Sequence, residues 1–229
     1  MTDALDCIAH PSPNHGPRKG EGAVDMIILH YTAMETGPAL ERLCDPEWEV
    51  SCHYLICPQG QIFQLVPEDR RAWHAGRARW GDVRDVNSRS IGIELANLGD
   101  HPFAHRQMEA LIALVGDIRA RHSIPPERVL AHSDIAPDRK TDPGARFDWG
   151  RLVRAGHAIA LRAEPRSMDE EAFGAALARA GYDPEQSMAC LLAAFRLRHR
   201  PGAAAGPLDA MDMGLAHELA SRFPFSAAD

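Results

Sequence analysis

Between residues 24 and 131, short apolar runs alternate with one long stretch of helical period, and few folds accept that pattern. Val24 to Leu29, with Ile27 and Ile28 at its centre, reads as a buried strand ending at His30. Ile91 to Leu95 reads as a central strand, and Arg128 to Ala131 as a short strand leading into His132. His105 to His122 carries Met108, Leu111, Ile112, Val115 and Ile118 on one stripe, which predicts a helix that Pro125-Pro126 stops. Strands alternating with helices predict an α/β domain: a mixed central β-sheet flanked by helices, over residues 1–163.

The remaining segments fill in that frame. Thr36 to Leu43 predicts a helix with Leu40 and Leu43 on one face. Ser51 to Cys57 and Gln61 to Val66 predict a hairpin around Pro58-Gln59-Gly60. Residues 1–22 read as an irregular arm, 68–90 as a long surface loop and Ser133 to Phe147 as a second loop. Trp149 to Leu161 reads as a closing helix. From 164 to 229 the texture changes to a small three-helix domain. Ser167-Met-Asp-Glu170 reads as a capping box opening a helix that Gly181 ends. Asp183-Pro184-Glu185-Gln186 opens a second helix with Met188, Leu191, Leu192 and Phe195 inward. After a Gly/Ala/Pro loop from Pro201 to Pro207, a third carries Leu208, Met211, Leu215 and Leu219.

Composition removes several function classes. With Lys plus Arg at 25 and Asp plus Glu at 32, the formal net charge is -7, which disfavours a phosphate backbone as main partner. No apolar run reaches the ~18–20 residues of a membrane span. The five cysteines contain no Cys-x-x-Cys pair, which argues against a thiolate zinc knuckle and a disulfide framework. Met1 to Gly20 has no basic segment followed by an apolar one, so no secretion signal is expected there. A cytoplasmic location is expected, with the periplasm as the alternative had a signal been removed.

Of 12 histidines, His30 and His132 stand out by position, because each directly follows a predicted strand. Strand ends are where α/β folds display functional side chains. Asp142 follows His132 in Lys140-Thr-Asp142-Pro-Gly144. Two histidines and a carboxylate, with a fourth position left to water, is a common donor set for catalytic zinc. On spacing alone, unrelated histidines remain an equal reading.

Four blocks then carry a family resemblance: Ile28-Leu-His-Tyr-Thr-Ala33, Trp73-His-Ala-Gly76, Ser90-Ile-Gly-Ile-Glu-Leu-Ala-Asn97, and Ala131-His-Ser-Asp-Ile-Ala-Pro137 followed by Arg139-Lys-Thr-Asp-Pro-Gly144. In this order they resemble the zinc-dependent type 2 N-acetylmuramoyl-L-alanine amidases, which share the fold of the peptidoglycan-recognition proteins. The three-helix tail is similar to a peptidoglycan-binding domain attached to some of them. The resemblance implies one Zn2+ on His30, His132 and Asp142, with Glu94 as catalytic glutamate and Lys140 stabilising the transition state. The implied reaction is hydrolysis of the amide between N-acetylmuramic acid, or its 1,6-anhydro form, and L-Ala of the stem peptide. The implied partner is peptidoglycan or a muropeptide.

Other residues keep two readings each. Glu94 sits in an apolar strand and could serve a structural ion pair. Tyr31 and His53 are candidates to line the groove, while His53 could equally be a packed core histidine. Trp73 and His74 could meet a sugar face or pack under the loop. Arg84 and Arg89 could hold a stem-peptide carboxylate or be solvated charges. Two further functions stand beside the amidase: a non-catalytic peptidoglycan-recognition module, and a zinc hydrolase of another amide.

Overall fold

The computed structural model describes residues 5–20, 22–203 and 205–226. Residues 1–4 and 21 of the expected arm, and Ala204 and 227–229 of the expected tail, lie outside the described residues.

The elements in chain order are β1 (Cys7–Ala9), β2 (His15–Pro17), β3 (Met26–Tyr31), α1 (Thr36–Cys44), β4 (Tyr54–Ile56), β5 (Ile62–Gln64), β6 (Arg70–Ala72), α2 (Val86–Arg89) and β7 (Ser90–Leu95). They continue with α3 (His105–His122), β8 (Val129–Ala131), α4 (His132–Ile135), α5 (Trp149–Arg154), α6 (Glu170–Ala180), α7 (Met188–His199) and α8 (Ala210–Arg222). Six strands form a mixed sheet in the order β1-β5-β4-β7-β3-β8. β4, β7, β3 and β8 run parallel, and the β4–β5 hairpin is antiparallel about Gly60, whose φ is +88°.

Both faces of the sheet are covered, which is why its central strands read as continuous apolar runs rather than alternating ones. On one face Ile27, Leu29, Ile91, Ile93 and Leu95 pack against Met108, Leu111, Val115 and Ile118 of α3. On the other, two apolar patches form. Leu55, Leu65, Val66 and Ala72 meet Ala39 and Leu43 of α1. Met26, Ile28 and Leu130 meet Phe173, Leu177, Leu191 and Phe195 of the C-terminal helices.

The structure corrects several expectations. The N-terminal arm is not irregular: β1 adds to the sheet beside β5, and β2 pairs antiparallel with β6. Residues 68–90 are not a surface loop, since Ala72, Ala75, Trp80, Val86 and Asn87 are buried there. The closing helix stops at Arg154, because Gly156 takes φ +76° and the His157 N–H turns back to the Leu152 carbonyl at 2.8 Å. α6 is capped by Asp169, which accepts the Ala172 N–H, rather than by a box from Ser167. α7 starts at Met188 with Ser187 as its cap, because Asp183 is engaged in its own turn and pairs with Arg79 at 3.0 Å. Residues of the C-terminal helices also share a core with the sheet. Among the described residues no helix is long and apolar enough to cross a membrane.

Candidate metal centre

The parallel register brings the candidate residues to one end of the sheet. His30 on β3 lies opposite Glu94 on β7, and Leu29 lies opposite Ala131, the residue before His132. By the two-residue alternation of a strand, His30 shares a face with Met26 and Ile28, and Glu94 shares one with Gly92 and Ser90. Asp142 is drawn in by the backbone, since the Ser133 N–H donates to the Asp142 carbonyl at 3.1 Å.

His30, His132 and Asp142 are all buried and converge. His30 Nδ1 lies 2.9 Å from His132 Nδ1, and each lies 3.0 Å from Asp142 Oδ2. What those atoms carry follows from their outer partners. The Ser90 hydroxyl donates to the Val86 carbonyl at 2.6 Å, a group that can only accept. His74 Nε2–H therefore donates to Ser90 Oγ at 3.2 Å, leaving His74 Nδ1 to accept from His30 Nε2–H at 3.0 Å. His132 Nε2–H donates to the Ala75 carbonyl at 3.1 Å. Both Nδ1 atoms are thereby left with a lone pair aimed at the carboxylate oxygen.

Burial, reinforced by neighbouring His132, pushes His30 down to about 4, so its ring is neutral at pH 7. Burial also drives His74 well below its ordinary value. Three acceptors facing one point with no hydrogen to share need a cation between them. Two imidazoles and a carboxylate suit zinc, whose bonds of about 2.0–2.1 Å imply ligand separations of about 3.3–3.4 Å in a tetrahedron. The observed separations are within half an ångström of that.

A cleft of about 460 Å³ opens over this cluster, lined by Tyr31, Trp73, His74, Glu94, His132, Lys140 and Asp142. Met34, Arg42, Leu43, Val50 and Arg139 also line it. Glu94 lines the cleft, and its Oε2 is buried without a partner among the described residues. Burial first, then the Asp142 charge, pushes Glu94 up to about 8 against the opposing pull of Lys140. A structural ion pair for Glu94 is absent among the described residues.

Three of the candidates lie elsewhere. His53 is fully buried behind His74, with ring centroids 5.8 Å apart, and its Nδ1 accepts the Gly92 N–H at 2.9 Å. It is a core histidine, pushed down to about 3 by burial and by Arg18. Arg89 is spent on Asp25 at 2.8 Å and on the Ala23 carbonyl, at the opposite end of β3 and β7. Arg84 meets Glu185 at 3.2 Å, outside the cleft. Sequence reasoning missed Ser90, which orients His74, and the cleft residues Arg42 and Arg139.

Gly92 is required by this packing. A Cβ there would overlap the His74 ring. Gly92→Ala should cost about 1–3 kcal/mol by overpacking, read from chemical denaturation. An unchanged midpoint would mean that the His74 ring is free to shift.

The family model described as N-acetylmuramoyl-L-alanine amidase (Amidase_2) matches residues 20–145. N-acetylmuramoyl-L-alanine amidase AmiD of Escherichia coli (strain K12) is 36% identical over 232 residues, covering 87% of this chain and 83% of the relative. 1,6-anhydro-N-acetylmuramyl-L-alanine amidase AmpD of Enterobacter cloacae is 34% identical over 160 residues, covering 62% of this chain and 86% of the relative. Among solved structures, AmiD from E. coli in complex with the substrate anhydro-N-acetylmuramic acid-L-Ala-D-γ-Glu-L-Lys superposes with a TM-score of 0.82 at 35% identity, covering 90% of this chain and 93% of that one. With the sheet order, the buried His-His-Asp group and a family match over more than half its length, this chain belongs to the N-acetylmuramoyl-L-alanine amidase family.

Proposed function

We propose that this protein is a zinc-dependent amidase that hydrolyses the bond between the lactyl group of N-acetylmuramic acid, or its 1,6-anhydro form, and L-Ala of the stem peptide. The observation that carries this reading is a cluster of three convergent acceptors beneath a cleft lined by an unpartnered buried carboxyl and a lysine. His30, His132 and Asp142 would hold the ion. Zinc there would supply Lewis acidity and lower the pKa of a water molecule towards about 7.

The chain's own groups do the rest. Glu94, raised by burial above its ordinary carboxylate range, suits the role of a group that both takes and gives a proton. It takes a proton from the attacking water as the C–O bond forms. It then gives that proton to the L-Ala nitrogen as the C–N bond breaks, leaving a lactyl carboxylate and a free amino terminus. Lys140, which lines the cleft, opposes the negative charge on the tetrahedral intermediate's oxygen. The apolar wall of Met34, Leu43 and Val50, with Trp73, suits a sugar face and short peptide side chains. Five unpaired cysteines fit a reducing compartment, and so cytoplasmic recycling of muropeptides.

Incubation of the purified protein with an anhydro-muropeptide, followed by mass spectrometry, tests the reading. The expected products are the intact anhydro-sugar carrying a free lactyl carboxylate and a stem peptide beginning at L-Ala. No release, or cleavage at another bond, contradicts it.

A further inference from the structure

His132 opens the one-turn helix α4, and so short a turn does not hold its own geometry. The residue that holds it is Asp134, which is fully buried. Asp134 Oδ2 accepts the Ala131 N–H at 2.8 Å, directly before His132, and a bond from Arg198 Nη1 at 2.8 Å. Asp134 Oδ1 accepts the Tyr182 hydroxyl at 2.8 Å. Arg198 Nη2 donates to the Val129 carbonyl at 2.7 Å, and the guanidinium lies 4.3 Å from the Trp149 ring centroid. Arg198 and Tyr182 both come from the C-terminal helical part, and both are buried. The same turn reaches Asp142 through the Ser133 N–H.

We infer that the C-terminal helices are a positioning element of the metal centre: Arg198 and Tyr182, acting through Asp134, set where His132 and Asp142 stand. Neither residue lines the cleft. The inference rests on the zinc reading for what His132 binds, and goes beyond it by giving these helices a part in the centre. A fully buried ion pair is a modest source of net stability but a strong geometric constraint, because either partner alone is left uncompensated. Here the constraint falls on the backbone on either side of a ligand. Groups that orient metal ligands typically matter by about 10–100-fold in affinity.

The test uses the full chain and measures zinc affinity by competition with a chromophoric chelator, alongside thermal melting. Three variants are compared: Tyr182→Phe, Arg198→Met and Phe173→Leu. Phe173 is buried in the same helices and makes no hydrogen bond to Asp134, so it reports general loosening. Arg198→Met should weaken zinc binding about 10-fold or more and Tyr182→Phe should weaken it measurably. Phe173→Leu should melt earlier yet bind zinc as the unaltered protein does. Unchanged affinity in both Tyr182→Phe and Arg198→Met overturns the inference. So does affinity that follows melting temperature alike in all three. If Arg198→Met fails to fold, Tyr182→Phe, which lacks only a hydroxyl, decides. Failure of the unaltered protein to bind zinc would instead overturn the zinc reading, and this inference with it.

Discussion

Glu94→Gln should lower kcat by on the order of 100-fold or more, as for loss of a general acid–base group, while zinc stays bound. The variant is nearly the same shape and cannot carry the proton. It should not unfold the protein either. Glu94 Oε2 is buried with no partner among the described residues, a state that costs stability rather than supplying it. Melting temperature should therefore hold or rise as activity falls. Metal content and melting temperature measured beside kcat separate this from the rival role. Loss of zinc would make Glu94 a ligand, and a large drop in melting temperature would make it a structural residue.

A chain ending at residue 163 should fail to fold cooperatively. Met26, Ile28, Trp80, Leu130 and Ile135 share a core with Phe173, Leu177, Tyr182, Leu191 and Phe195, so the cut exposes a continuous apolar face of the sheet. It also leaves the Asp134 carboxylate without Arg198 and Tyr182. Losing one side of a buried ion pair costs about 3–5 kcal/mol by itself. That is a large share of the ~5–15 kcal/mol by which domains are stable. Size-exclusion chromatography and thermal melting would show aggregation or no cooperative transition. A soluble fragment melting within a few degrees of the full chain would mean that the helices are an independent module.

Elements whose evidence is local were legible in the sequence. The helix read from Met108, Leu111, Val115 and Ile118 spans His105–His122, because a periodic stripe and a Pro-Pro stop are written within it. The hairpin at Gly60 was equally plain, since the turn needs positive φ there. The strand expected over Val24 to Leu29 runs from Met26 to Tyr31, so His30 lies inside it rather than beyond its end. What was not legible depends on distant partners. β1 and β2 are three residues each and exist through backbone pairing with β5 and β6, which leaves no pattern of their own. Residues 68–90 look polar, yet their backbone is satisfied internally: Asn87 Oδ1 accepts the N–H groups of both His74 and Ala75.

The centre divides the same way. His30, His132 and Asp142 were named from position after strands and from motif, and the fold brings them within hydrogen-bond distance of one another. The motif makes His74 a groove candidate, and in the fold it accepts the His30 Nε2–H and donates its own Nε2–H to Ser90. That direction of hydrogen bonds cannot be read before the fold places Ser90 against the Val86 carbonyl. Arg84 and Arg89 were candidates by charge alone, and each is satisfied by an acid elsewhere. Arg198 follows Leu191 and Phe195 at helical spacing, which puts an arginine on a buried stripe. A charge there announces a partner.

The most direct measurement is release of stem peptide from an anhydro-muropeptide by the chelated protein as zinc is added back. Release should be abolished by the chelator and return in full at one equivalent of zinc per chain. In a parallel sample, Asp142→Asn should need a large excess of zinc or fail to recover. Release that survives chelation, or that returns without regard to Asp142, would contradict a zinc amidase built on His30, His132 and Asp142.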